Sequence, residues 1–391
     1  MKPVALVAGY LVRYPLGGFI TAQSNMLAGL QRLGFEAIFI EHYGWANACY
    51  NPRANTMTDD PSAGIATMER AFAKFGLGRW CYVDASEKFH GLSREEIKKL
   101  CRDAAVLISW GATTWLDEFR DCQTRIFLDA DPGFTQFKLS PTSCAGYASP
   151  LDFNFHATFG ERIGQPDCLI PTHGLNWLPT RPPIVPELLQ TRFTPDAKFF
   201  TTVMSWTAYG NVEYRGETYG QKDIEFMKFA DLPARAGKRF EVALAGPDAP
   251  SDRLRAAGWD VTAALPATKD VDTYLDYIGR SRGEFGVAKN TYVKTRSGWF
   301  SDRTTHYLAL GKPSIVQDTG FSIPTGEGLF AFKTTDDVMA AVEAIDRDYE
   351  PHCRAARHIA EEYFGAEKVV GKLLRDCGVS GLTASASSGS R

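Results

Sequence analysis

At 391 residues the chain exceeds one typical core, so two domains are expected. With 44% hydrophobic residues, 23% charged residues and a formal net charge of −3, it has the composition of a soluble globular protein and no basic excess that would point to nucleic acid. No run reaches the roughly 20 apolar residues of a membrane span, and the eight cysteines are scattered without a Cys-x-x-Cys pair, which argues against a zinc site or disulfide framework and for reduced thiols in the cytoplasm.

Residues 4–8 are a short apolar run suited to a buried parallel strand. The opening MKPVALVAGY has the length of a signal core, but no small-residue cleavage site follows, so a first strand is the reading. Apolar residues at helical spacing over 19–33 end at Gly34, and 37–41 is the next strand, which makes one βαβ unit. Residues 44–66 are a polar surface excursion. Helices are expected over 67–75 and 94–102, central strands over 105–109 and 125–129, and short strands over 157–159 and 168–170. Pro179, Pro182, Pro183 and Pro186 then exclude a central strand or a helix, so 179–196 reads as a linker.

The pattern restarts beyond it. Strands are expected over 199–205, 241–245, 260–262, 284–288 and 313–317. Helices are expected over 221–231, 251–257, 271–281, 299–310, 335–345 and 354–377. Alternating strands and helices predict an α/β protein with parallel sheets. The expected domains are 1–178 and 197–350, with a closing helical segment at 351–378 and a disordered Ser/Gly/Ala-rich tail at 379–391.

The stretch Gly283 to Phe321 carries the most chemistry. A strand leads to a polar loop ending in Ser297-Gly298, then to a helix expected from Trp299. A small-residue turn that opens a helix presents free backbone N–H groups and the positive helix end to an anion. Lys289, Arg296 and Arg303 add cations. Ser297 is expected to cap the helix, Gly298 to allow close backbone approach, and Ser301 and Arg303 to bond phosphate.

The segment SGWFSDRTTHYLALGKPSIVQDTGF, followed by PTGEGLFAF, resembles the donor half of GT-B glycosyltransferases. Leu310-Gly311-Lys312-Pro313-Ser314-Ile315-Val316 stands where those enzymes have a Gly-x-Pro-hydrophobic run. Residues 127–136 and 158–164 resemble bacterial family-1-like glycosyltransferases. The resemblance implies two Rossmann-like domains facing each other across a cleft. The C-terminal one would bind a UDP- or TDP-sugar as co-substrate, with no other cofactor and no metal, and the N-terminal one a small-molecule acceptor. The partners implied are these two ligands, with no nucleic acid and no membrane span, in a monomer or homodimer. The two glutamates of many retaining enzymes fall at Gly298 and His306 here, which leaves the stereochemical outcome open. A nucleotide-sugar epimerase and a non-catalytic scaffold of the same fold are the rival readings.

Further candidates follow from position. Lys289 and the turn Gly17-Gly18 are expected against the diphosphate. Gln317, Asp318, Gly320 and Glu327 are expected near the donor sugar and nucleoside, and Trp206, in an aromatic loop with Tyr209, Tyr214 and Tyr219, is placed to stack on one of them. Asp129-Ala-Asp131 is a DxD sequence, but two carboxylates make a poor magnesium site. Asp131 reads instead as the group that takes the acceptor's proton, with His173 and His156 as rival bases.

Overall fold

A computed structural model describes residues 2–379 apart from 145 and 247. The expected disordered tail lies outside the described residues, save for its first position. The first sheet has eight strands. They run in the order Trp177–Pro179, Phe155–Thr158, Arg125–Asp129, Val106–Trp110, Val4–Ala8, Glu36–His42, Trp80–Val83 and Phe89–Gly91. All neighbours are parallel except the last pair. The second sheet has six parallel strands, ordered Asp260–Ala263, Arg239–Ala245, Phe199–Ser205, Gly283–Gly286, Ser314–Gln317 and Leu329–Phe332. Numbered along the chain this is 3-2-1-4-5-6, the doubly wound Rossmann order, and the inner six strands of the first sheet follow it too. Helices on both faces explain why the central strands of the first sheet are buried throughout and mostly apolar.

The long helix Gly17–Arg32 joins the halves. It packs against Val271–Gly279 and Ala366–Asp376, so even Gln23, Ser24 and Asn25 are buried. A Cβ on Gly17 would lie 2.2 Å from the Asp270 carbonyl oxygen, and one on Gly29 2.6 Å from Ala366 Cβ. These glycines are what let the helices approach.

The proline-rich segment also ties the halves together. Ile184 donates to the Phe364 carbonyl at 2.8 Å and accepts from Ala366 N at 2.7 Å. That bridge breaks the single helix expected over 354–377 into Tyr349–Phe364 and Ala366–Asp376, with Gly365 between. Residues 168–170 are no strand; Leu169 N donates to the Thr295 carbonyl across the halves at 3.0 Å.

Candidate active site

In a doubly wound sheet, ligands bind outside the carboxyl ends of the strands where the order reverses. Here that point lies between Phe199–Ser205 and Gly283–Gly286. The loops that leave those ends carry Tyr209 and Lys289, and Lys222 opens the helix Lys222–Phe226 behind the first.

The helix of the diphosphate motif begins at Asp302, three residues later than expected. Ser297 and Trp299 close against the first domain, and Phe300 packs on Phe321 and Phe364. Gly160 and Trp299 form a bridge, Arg162 N donates to the Ser297 carbonyl at 3.0 Å, and Trp299 Nε1 donates to the Ala130 carbonyl at 3.1 Å. Ser297 is fully buried and does not cap the helix. Its hydroxyl donates to the Tyr292 carbonyl at 3.3 Å and accepts from Trp299 N at 3.2 Å. Gly298, with φ +73°, faces the other domain, for an added Cβ would lie 2.8 Å from Arg162 Cγ and 2.9 Å from Glu161 Cγ. Gly320, with φ +89°, is pressed against the same Arg162. Ser301 stands at the N-cap without a capping bond and borders a cavity of about 10 Å³. That is room for one water, not for a diphosphate.

Arg303 is buried against Glu284. Its Nε donates to Oε1 at 2.6 Å and Nη1 to the Val203 carbonyl at 2.9 Å, while Nη2 donates to no described residue. Burial works against its charge, but Glu284 beside it holds the guanidinium above its ordinary pKa. The pair fastens the Asp302 helix to two strands at the switch point.

Lys222 was missed by the sequence reading. It is half-buried and makes no hydrogen bond or ion pair with the described residues. Burial, then the nearby cations of Arg303 and Lys289, depress its pKa to about 7, against the pull of Asp302 and Glu284. The available signal was its place at a helix start, two residues after Gly220, behind the loop that leaves the first strand of the second sheet.

Lys289 reaches across to the first domain. Its Nζ lies 2.5 Å from Asp131 Oδ1 and 2.5 Å from the Tyr209 hydroxyl. It sits over the rings of Tyr209, Phe134 and Tyr292 at 4.3, 4.9 and 5.4 Å from their centroids. Burial raises the Asp131 pKa, but Lys289 and the Tyr292 hydroxyl outweigh it and hold the carboxyl below the usual range. Asp129 is different. It is fully buried and accepts from Thr135, Gln136 and Thr158 at 2.7, 2.9 and 2.9 Å, and burial raises its carboxyl to about 6. It fixes the loop that presents Asp131.

The remaining candidates divide. Gly17 and Gly18 lie against Asp270 and Tyr274 of the second domain. His156 is buried on Trp177 with Nε2 2.8 Å from the Pro150 carbonyl, so it lies outside the cluster. His173 is exposed and its Nε2 meets the Gln136 carbonyl at 2.8 Å. Gln317 is buried, donating to Glu225 at 2.6 Å and accepting from Ala288 N at 3.1 Å. Asp318 accepts from Gly320 N at 2.7 Å and pairs with Lys333 at 3.3 Å, and Glu327 is exposed. Trp206 packs edge-on against Phe226 in the core, which takes it out of the cleft. Tyr209 packs edge-on against Phe134 of the first domain and meets Lys289, while Tyr214 and Tyr219 pack on Phe137. Beside Tyr209 lies a cavity of about 330 Å³ lined by Thr207, Ala208, Tyr209, Gly210, Asn211, Gln221 and Asp223.

No family model matches the chain, and no curated relative matches it. Solved structures do. An alpha-glucosyltransferase in complex with UDP and a 13-mer DNA containing a HMU base is 8% identical, with 97% of this chain and 100% of that one covered at a TM-score of 0.62. A glycosyltransferase from Rickettsia africae is 9% identical, with 96% and 98% covered at 0.53. AviGT4, a glycosyltransferase involved in avilamycin A biosynthesis, is 12% identical, with 97% of both chains covered at 0.52. The chain has the GT-B fold, the two-Rossmann architecture of these glycosyltransferases.

Proposed function

We propose that the protein is a glycosyltransferase that moves a sugar from a UDP- or TDP-sugar to a small-molecule acceptor. The observation that carries this reading is that Arg303 is bonded to both strands of the switch point, that Lys289 stands on the loop leaving one of them, and that Lys222 opens the helix behind the other. Lys222 has no ion-pair partner among the described residues, and a diphosphate would supply one. During transfer the acceptor oxygen bonds to the sugar's anomeric carbon as the bond from that carbon to the diphosphate breaks. Negative charge then grows on the leaving diphosphate, where fixed cations stabilise it electrostatically.

Asp131, on the first domain's side, would take the acceptor's proton. Residues 1–178 would hold the acceptor and residues 197–350 the donor, with no metal required. Asp318 and Gly320, beyond the strand Ser314–Gln317, remain the candidates for the donor sugar. The small cavity at the Asp302 helix shifts the weight of the diphosphate site from that helix end to Lys222 and Lys289. The neighbour solved with UDP supports the choice of nucleotide.

The test is a thermal-shift screen of nucleoside diphosphates and their sugars. UDP or TDP should raise the melting point of the wild-type protein by mass action and leave Lys222→Met nearly unchanged. Free diphosphate should then accumulate from the donor sugar only with an acceptor present.

A further inference from the structure

We propose that the Asp131 carboxylate is a built-in stand-in for the donor's phosphate, holding Lys289 until a nucleoside diphosphate displaces it. The inference rests on the functional reading above and adds a means of regulating the same site.

Three cations face the switch point, and they are not equivalent. Arg303 is committed to Glu284, which is fully buried, and to the Val203 carbonyl. Lys222 has no partner among the described residues. Lys289 has one carboxylate partner, Asp131, and that partner belongs to the other sheet's loop at the end of Arg125–Asp129. The Lys289 side chain is 12% exposed, whereas that of Asp131 is 45% exposed. The anion is therefore the accessible half of the pair. The cation is fixed in an aromatic box of Phe134, Tyr209 and Tyr292.

An entering diphosphate carries two or more charges, and Lys222 alone offers one cation. Lys289 is the second whose anion can leave without stranding a buried charge, because Asp131 faces water. Once phosphate holds Lys289, Asp131 keeps its bond from the Tyr292 hydroxyl and is repelled by the new anion toward the acceptor's side. Donor binding thus breaks one of the two contacts that tie Asp131 to the second domain and weakens the other.

The test is calorimetric titration with UDP of wild type, Asp131→Asn and Tyr292→Phe. Asp131→Asn removes the competing charge, and Tyr292→Phe keeps the ring but removes the hydroxyl that bonds Asp131. Asp131→Asn should bind UDP at least fivefold more tightly than wild type, and Tyr292→Phe about twofold more tightly. Binding that is unchanged or weaker in Asp131→Asn would overturn the proposal. If Asp131→Asn does not fold, unchanged or weaker binding in Tyr292→Phe overturns it alone. Should wild type bind neither UDP nor TDP, the functional reading fails and this inference with it. Wild-type binding without tightening in the variants defeats this inference only.

Discussion

The Arg303 guanidinium and the Glu284 carboxylate meet at 2.6 Å inside the second domain, and the same arginine holds the Val203 carbonyl. One side chain therefore pins a helix to the two strands that define the switch point. The guanidinium bond is to Oε1, and the buried Oε2 of Glu284 has no hydrogen-bond partner among the described residues, so the pair depends on its own geometry.

Removing one member should cost more than removing both. Glu284→Gln leaves a buried guanidinium without its counter-ion and should lose about 3 kcal/mol in urea unfolding. The double change Glu284→Leu with Arg303→Leu should recover part of that loss. Equal losses in single and double variants would show that the pair does not act as a unit.

The outline of the fold was legible because buried parallel strands leave mostly apolar runs, as in residues 4–8, 125–129 and 199–205. The site was less so. Ser297-Gly298 has the composition of an anion turn, but the positive φ and missing side chain serve contact with Arg162, a partner 136 residues away. Trp206 and Tyr209 share one loop, and no local pattern says that Trp206 faces the core and Tyr209 meets the first domain. Lys222 reads as an ordinary helix-start lysine until the fold brings Arg303 and Lys289 beside it. Long-range juxtaposition decided each of these.

Lys222 gives a pH signature. Its pKa is about 7 in the free protein against 10.5 ordinarily, and a diphosphate beside it favours the charged form. Binding above pH 7 must then take up a proton, so UDP affinity should fall as pH rises from 7 to 9. The binding enthalpy at pH 8 should vary with the buffer's ionisation enthalpy. Lys222→Met should bind at least tenfold more weakly and lose the pH dependence.

The same shift affects stability with the opposite appearance. The unfolded chain binds more protons than the folded one between pH 7 and 10.5, so this residue makes the protein more stable as pH rises through that window. Lys222→Met should therefore raise the melting temperature more at pH 6 than at pH 9, as differential scanning calorimetry would show.

His306 should produce acid sensitivity. Burial lowers its pKa from 6.5 to about 4, and its Nδ1 lies 2.9 Å from the Tyr274 hydroxyl. Between those values the unfolded chain binds the extra proton, so stability is lost as pH falls from 6.5 toward 4. His306→Gln should flatten this part of the stability profile, read as urea midpoints from pH 4 to 7.

Gly17 should admit no side chain. A Cβ would lie 2.2 Å from the Asp270 carbonyl oxygen and 2.5 Å from Tyr274 Cβ, both on the second domain. Gly17→Ala must push the two helices apart and should cost about 1–3 kcal/mol. Limited proteolysis should then cut faster in the loops that join the halves.

The most direct measurement is calorimetric titration of wild type and Lys222→Met with UDP and TDP at pH 7. Saturable one-to-one binding by wild type to at least one of them, weakened at least tenfold in the variant, is the predicted result. Absence of binding to both, or equal binding by the two proteins, would contradict a nucleoside-diphosphate site at Lys222.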